Sequence, residues 1–303
     1  MAQLPTYSIA MVTPFDTNGD FQASAVDGLV RHLVDAGAPA LLISGSTGEQ
    51  HCLSVDERCQ LYQRCRESAG PTYPLFAGVS AMKTRQAVAL AEAAVGSGMT
   101  GIMLGFTPYS KLTQRDAEAY AIAVATAASS LPIFLYNNSA RVPFNLAPQT
   151  FTRILAHCPN VVGVKEVVNA QVPAFREAVA AATELSGREL AYVSGNDDAF
   201  LTQFAEFGFT SLTSIAGQVY PREMGVVVDK LHAGDTAAAA EQLATIQPGL
   251  VLLREGGLLQ SVKHVLRGRG APAGHCCLPL LELSEAQQAR LDDHFQLGAA
   301  RRV

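Results

Sequence analysis

The sequence predicts an α/β fold, a (β/α)8 TIM barrel followed by a C-terminal helical extension. Three observations predict it. Short apolar runs alternate with amphipathic stretches, which is typical of parallel βα units rather than of hairpins. Eight such units fit within about 235 residues, close to the roughly 250 residues that are typical of this barrel. After residue 234 the pattern contains helices only.

The predicted strands are runs of five or six residues, mostly apolar except in the last run, and each is followed by a helix-length segment. They are YSIAMV (7–12), ALLISG (40–45), PLFAGV (74–79), GIMLG (101–105), PIFLY (132–136), VVGVK (161–165), LAYVS (190–194) and TSLTS (210–214). A doubly wound sheet is the structural alternative. It would need a Gly-rich phosphate turn after the first strand, and VTPFDTNGDF lacks the GxGxxG spacing.

Several predicted helices carry start and stop signals. Ser54 with Glu57 and Thr113 with Asp116 have the spacing of capping boxes, and Gly208 is a C-terminal cap candidate. No linker rich in proline, serine or charge precedes the final helices. The sequence therefore predicts a barrel over residues 1–234 and a helical extension over residues 235–303 that packs on it.

Composition excludes several classes of function. The 303 residues are 49% hydrophobic and 16% charged, with a net charge of −5 and no basic cluster, so no nucleic-acid or membrane partner is expected. Six cysteines show no CxxC pair and no zinc spacing, which predicts no metal site and a reducing compartment. The chain shows neither a targeting signal at its start nor a long apolar window, so the expected location is the cytoplasm.

One lysine stands in an unusual place. The chain has five lysines among 22 basic residues, and Lys165 alone lies in an apolar strand run, NVVGVKEVVN. Reactive groups of such barrels lie at the C-terminal ends of strands. Burial there would lower the pKa of the amine, and a neutral amine can form a Schiff base with a 2-oxo acid. The structural alternative is that Lys165 pairs with Glu166 or another carboxylate at a strand end.

Three further positions at strand ends suit this chemistry. Tyr136 ends the fifth strand and could act as general acid and base. Ser46 and Thr47, in the GSTGE stretch after the second strand, could supply a hydroxyl relay, and backbone N–H groups of that loop, including that of Gly48, could bind a carboxylate. Taken singly, a tyrosine at a strand end and a Gly-rich turn are also ordinary packing and turn residues.

With these residues in view, the chain resembles the dihydrodipicolinate synthase / N-acetylneuraminate lyase family of Schiff-base aldolases. The matching stretches are VTPF (12–15), GSTGE (45–49), TPY (107–109), YN (136–137), GVKE (163–166), SGNDDAF (194–200) and PLLELSEAQQARL (279–291). The resemblance implies that Lys165 forms the imine, Tyr136 is the acid and base, and Ser46 with Thr47 holds the pyruvyl carboxylate. It also implies that the backbone of Gly195 lines the pocket, that no cofactor is needed, and that the protein is a homotetramer, a dimer of dimers.

Two motifs depart from the family pattern. Where the synthase branch has a second tyrosine that completes a hydroxyl triad across a dimer interface, this chain has Ser110, so relay there would need Tyr109 or a water molecule. The segment YNNSARVPF keeps Arg141, which could bind a second carboxylate bidentately or serve an interface ion pair.

The sequence thus favours a class I lyase of the aldolase or dehydratase type that acts on pyruvate or a longer 2-oxo acid. Because Ser110 breaks the triad, a 2-oxo sugar acid or hydroxy-oxo acid is the favoured substrate class. Two alternatives stay open: a true 4-hydroxy-tetrahydrodipicolinate synthase, and a non-catalytic descendant that binds a 2-oxo acid without turnover. A phosphate-binding barrel enzyme is disfavoured because SGNDDAF and SIAGQ are poor in glycine.

Overall fold

A computed structural model describes residues 5–167 and 172–297. Its eight strands form a closed parallel barrel in chain order, β1 to β8. The strands are β1 (Tyr7–Ala10), β2 (Leu41–Ile43), β3 (Leu75–Val79), β4 (Gly101–Gly105), β5 (Ile133–Asn137), β6 (Val161–Glu166), β7 (Ala191–Ser194) and β8 (Ser211–Ser214). Each lies within or overlaps a predicted run, so the predicted (β/α)8 barrel is confirmed.

Helices follow the strands and continue after the last one. They are α1 (Ala23–Asp35), α2 (Val55–Ala69), α3 (Thr84–Gly96), α4 (Gln114–Ala127), α5 (Pro148–His157), α6 (Val172–Ser186), α7 (Phe200–Phe207), α8 (Pro221–His232), α9 (Thr236–Glu255), α10 (Leu258–Gly268) and α11 (Glu285–Phe295). Both predicted capping boxes, at Ser54 and Thr113, are present, and Gly208 ends α7 with φ 70°. Within the described ranges, no helix has the length and apolar character needed to cross a membrane.

Contacts divide the chain into two compact units. One unit contains Pro74–Thr213, in which β3 to β8 pair in parallel and the strand side chains pack as a core that includes an edge-to-face pair of Phe76 and Phe134, 5.9 Å between centroids. The other contains Tyr7–Tyr73 and Ser214–Val303, with the β1–β2 pair and the last three helices. The predicted boundary between a barrel and an extension at residue 234 stays a prediction.

Strands β5 and β6 position two pairs of polar residues. Their register sets Tyr136 beside Lys165 and Asn137 beside Glu166. Gly163 lets β6 approach β7 closely, because a Cβ there would lie 2.2 Å from the carbonyl oxygen of Ala191. Since successive side chains of a strand point to opposite faces, Tyr136 and Lys165 share one face while Asn137 and Glu166 share the other.

Candidate active site

Lys165 lies near the end of β6 and is buried, with 6% of its surface exposed. Burial lowers the pKa of its amine to about 8, and the nearby carboxylate of Asp197 opposes this shift only in part. The Nζ atom stands 4.9 Å from the centroid of the Tyr136 ring. A substantial fraction of this amine is therefore neutral near pH 8, which is the form that attacks a carbonyl carbon.

The adjacent carboxylate, Glu166, does not pair with Lys165. Its Oε2 accepts a hydrogen bond of 2.6 Å from Asn137 Nδ2, and its Oε1 accepts one of 2.8 Å from the Val167 N–H. Within the described part of the chain, Lys165 takes part in no ion pair. The alternative of a Lys165–Glu166 pair is wrong, because the two side chains occupy opposite faces of β6.

The half-buried Tyr136 has a partner that the motif analysis did not single out. The Nδ2 of Asn138 donates a hydrogen bond of 2.7 Å to the Tyr136 phenol oxygen. Asn138 is itself buried, with 6% exposed. The phenol is thus held by a hydrogen bond from the segment that follows its own strand.

Gly195, directly after β7, lies against the lysine side chain. A Cβ at this position would lie 2.6 Å from Lys165 Cε and 2.8 Å from Val167 Cγ2. Contacts under 3 Å between carbon atoms are well inside van der Waals separation, so a larger residue would displace the lysine. The structure therefore brings three of the predicted residues together: Lys165, Tyr136 and Gly195.

The loop after β2 belongs to the second unit and has an unusual backbone. Ser44 and Glu49, at its two ends, adopt left-handed backbone conformations with φ 55° and 50°, which residues other than glycine rarely adopt. Between them, Ser46 is half-buried, and Thr47 and Gly48 are buried. Whether Ser46, Thr47 and Gly48 act on the same substrate as Lys165 stays a prediction.

This loop is tied down by buried polar contacts. Arg58, 3% exposed, donates from Nε to Ser44 Oγ over 2.8 Å and from a terminal nitrogen to Gln50 Oε1 over 3.0 Å. Thr13 Oγ1 donates to the Gly48 carbonyl oxygen over 2.7 Å. Such contacts stabilise a conformation that the backbone alone disfavours.

A second buried lysine anchors the end of the same loop. Lys263 and Glu49 form an ion pair of 2.6 Å in which both side chains are fully buried. Lys263 Nζ also donates to the carbonyl oxygens of Thr13, at 2.7 Å, and His275, at 2.5 Å, while Glu49 Oε2 accepts from the Cys277 N–H at 2.8 Å. The ammonium therefore has three acceptors, and each carboxylate oxygen accepts one hydrogen bond.

The sequence did not single out Lys263, because it lies in a predicted helix of the C-terminal extension, away from the strand ends where reactive groups were expected. A signal was present. Val262, Val265 and Leu266 of α10 are buried, and Lys263 stands three residues before Leu266, on the apolar face of that helix.

The remaining predicted site residues have exposed side chains. Tyr109 is 82% exposed, and Ser110 and Arg141 are also exposed. The Ser110 carbonyl oxygen accepts a long hydrogen bond of 3.4 Å from Thr107 Oγ1. Their role in binding a substrate stays a prediction.

A sequence profile of the dihydrodipicolinate synthetase family matches residues 4–297. The chain belongs to this family. A 4-hydroxy-tetrahydrodipicolinate synthase of a Synechococcus strain is 34% identical to it over 284 residues, which is 94% of this chain and 92% of that protein. The corresponding protein of Bacillus subtilis is 30% identical over 284 residues, 94% of this chain and 96% of that one.

Solved structures agree with the assignment to the dihydrodipicolinate synthetase family. Dihydrodipicolinate synthase from Aquifex aeolicus superposes with a TM-score of 0.86 at 25% identity, covering 97% of each chain. A dihydrodipicolinate synthase from Bacillus anthracis gives a TM-score of 0.84 at 28% identity, covering 98% of this chain and 99% of that one. The family resemblance predicted from the motifs is confirmed, and with it the prediction of an enzyme that acts on small molecules.

Proposed function

We propose that this protein is a class I lyase that forms a Schiff base between Lys165 and pyruvate or a longer 2-oxo acid. The observation that carries the proposal is the buried amine, whose pKa burial lowers to about 8, next to the Tyr136 phenol. Within the family, this pairing of a nucleophile with a proton donor suits imine chemistry.

The chemical steps require one proton shuttle. Neutral Nζ attacks the C2 carbonyl carbon of the 2-oxo acid and yields a carbinolamine. Tyr136 gives its proton to the carbinolamine hydroxyl, which leaves as water, and an iminium ion and a phenolate result. The phenolate then takes a proton from C3, giving an enamine and restoring the phenol. The enamine adds to an aldehyde, whose oxygen takes the phenol proton of Tyr136, and an iminium ion and a phenolate form again. Water then adds to the iminium carbon and gives one proton to the phenolate, and the resulting carbinolamine releases the product and the neutral amine. The reverse sequence cleaves a longer 2-oxo acid.

The loop after β2 is the proposed site for the substrate carboxylate. Ser46 and Thr47 would donate from their hydroxyl groups and Gly48 from its backbone N–H. The left-handed residues at the two ends of the loop and its buried polar contacts support this role, because they fix the donors before a substrate binds. Preorganised donors avoid the entropic cost of ordering the loop.

We place Ser110 and Arg141 near the second substrate, or near the distal part of a longer 2-oxo acid. A guanidinium can bind a carboxylate bidentately, so Arg141 favours an acidic molecule. Ser110 has a much shorter reach than a tyrosine, which disfavours a proton relay through that position. We therefore place the main activity among aldolases or dehydratases of 2-oxo sugar acids or hydroxy-oxo acids, with Tyr109 as a further contact.

A true 4-hydroxy-tetrahydrodipicolinate synthase is the second candidate function. It is favoured by the similarity to the 4-hydroxy-tetrahydrodipicolinate synthases of Synechococcus and Bacillus subtilis and by the presence of Arg141. Under either candidate we propose a cytoplasmic homotetramer, a dimer of dimers, that needs no cofactor. Light scattering of the purified protein would measure its mass in solution.

Turnover over a panel of substrates separates the candidates. The purified protein is given pyruvate with acidic or polyhydroxy aldehydes, and separately 2-oxo sugar acids in the cleavage and dehydration directions. We expect turnover of a hydroxylated 2-oxo acid. Condensation restricted to the acidic semialdehyde would instead identify the synthase, and imine formation without any product would identify a non-catalytic binding protein.

The pH dependence of imine formation follows from the lowered pKa of Lys165. Below a pH of about 8 the amine is mostly protonated and unreactive. The rate constant for imine formation, measured by stopped-flow trapping with pyruvate, is expected to rise through pH 8 and then level off. A rate that still rises steeply at pH 10, as an ordinary lysine would give, would contradict the proposal.

Enlarging Gly195 tests the position of the lysine. In Gly195→Ala the new methyl group collides with Lys165 Cε, so we expect kcat/KM to fall by about a hundredfold or more. The matched control is Gly96→Ala, because a Cβ at that exposed position in α3 meets no atom within 4 Å. Equal activity of the two variants would show that the Gly195 contact does not matter for catalysis.

A further inference from the structure

The contact between Asn138 and Tyr136 has no part yet in the proposed chemistry. Asn138 is buried, and its Nδ2 lies 2.7 Å from the Tyr136 phenol oxygen. Buried amides are placed by the partners of both their polar atoms. The orientation of this one decides what it can do to the phenol.

The other contacts of Asn138 fix that orientation. Its Oδ1 accepts a hydrogen bond of 3.2 Å from the Ala140 N–H, so the oxygen end faces the following turn. The amide therefore presents its N–H to the phenol, and the assignment of nitrogen and oxygen follows from the network. Tyr136 accepts this bond on its oxygen, and the bond does not engage the phenol proton.

The backbone of Asn138 anchors the same turn. Its carbonyl oxygen accepts from the Arg141 N–H at 3.0 Å and from the Val142 N–H at 3.1 Å. One residue thus holds the phenol with its side chain and the start of the Arg141 segment with its backbone. A change at Asn138 that keeps the Oδ1 contact to Ala140 alters the phenol while preserving the turn.

We propose that Asn138 is a positioning residue that sets proton transfer by Tyr136, an inference that rests on the proposed function. When the phenol gives its proton to the carbinolamine hydroxyl, negative charge develops on the oxygen that Asn138 contacts. A donor N–H binds that charge more strongly than it binds the neutral phenol. An amide has no titratable proton, so Asn138 stabilises the phenolate without relaying the proton itself.

Asn138→Asp tests this directly. The aspartate keeps one oxygen for the Ala140 N–H and turns a second oxygen, which can only accept, toward the phenol. We expect kcat to fall by about a hundredfold, with the KM for pyruvate changed by less than about threefold. The fall of kcat at high pH, where Tyr136 has lost the proton that it must donate, is expected to shift to higher pH, because a carboxylate repels a phenolate.

Two controls separate proton transfer from a structural role. Ser139→Asp adds the same charge at the neighbouring exposed position, and should behave as the unchanged protein. In a Tyr136→Phe background, Asn138→Asp should cost no further activity, because its effect runs through the phenol. Asn138→Leu, which removes the donor without adding charge, serves if the aspartate variant does not fold, and should lower kcat by about tenfold.

Failure of the inference about Asn138 can be distinguished from failure of the proposed function. If the unchanged protein forms no borohydride-trapped adduct with pyruvate, the proposed function and this inference are both overturned. If the unchanged protein is trapped and turns over, two results overturn the inference alone. One is an Asn138 variant with unchanged kcat and pH profile, and the other is an equal loss of activity with and without the Tyr136 hydroxyl.

Discussion

Lys165→Met is expected to abolish turnover while the protein stays folded. Methionine matches the lysine side chain as far as Cε and suits a buried site, but it lacks the nucleophilic amine. Loss of a nucleophile lowers kcat by far more than about a thousandfold. Melting temperatures should rise slightly at pH 6, because the variant no longer buries an ammonium ion. The gain should shrink as pH rises from 8 toward 10.5, where the folded state binds fewer protons at Lys165 than the unfolded state does.

The companion variant Lys165→Arg keeps the positive charge but lacks the amine. A guanidinium stays charged at every pH in this range and makes no imine, so this variant should be equally inactive and less stable than Lys165→Met. Melting curves and kcat measured on both variants check the account. A Lys165→Met protein that keeps more than about a hundredth of the activity would place the nucleophile elsewhere.

Of the variants proposed for this protein, Lys263→Met is expected to lower the free energy of unfolding the most. It removes one partner of a fully buried ion pair, leaving the Glu49 carboxylate, the Thr13 carbonyl oxygen and the His275 carbonyl oxygen without their shared donor. Breaking such a pair costs about 3–5 kcal/mol in the free energy of unfolding, which urea titration followed by circular dichroism measures. Because Glu49 ends the loop of Ser46 and Thr47, the KM for pyruvate should also rise.

Two controls belong with this experiment. Lys230→Met removes a solvent-exposed lysine of α8 and should leave the urea midpoint unchanged. The double variant Glu49→Gln with Lys263→Met removes both buried charges and should recover much of the lost stability, since no unpaired carboxylate remains. A single Lys263→Met variant as stable as Lys230→Met would show that the buried pair contributes nothing.

Most of the fold could be predicted because apolar runs of strand length are a local signal. The observed strands differ from the predicted strands at their ends. β2 stops at Ile43, short of the predicted end at Gly45, because Ser44 takes a left-handed conformation held by Arg58. β5 and β6 each extend one residue further than predicted, to Asn137 and Glu166, because those polar side chains bond to each other across the two strands. Such tertiary contacts leave no trace in local composition.

The candidate site was predictable only in part, because some of its contacts come from tertiary structure and not from a local sequence pattern. Lys165 could be found because it interrupts an apolar run, and Tyr136 and Gly195 because they end or follow strands. The Lys263–Glu49 pair joins residues 214 positions apart, and no local pattern links them. Asn138 resembles an ordinary turn residue in the sequence, and only its contact with the phenol singles it out.

Reductive trapping shows directly whether Lys165 forms an imine with pyruvate. The protein is incubated with pyruvate at pH 8 and reduced with borohydride, and its peptides are then sequenced by mass spectrometry. We expect one pyruvate-derived adduct, on the peptide that contains Lys165, and none on the peptides with Lys83, Lys111, Lys230 or Lys263. An adduct on the buried Lys263, or no adduct in a folded protein, would contradict this expectation.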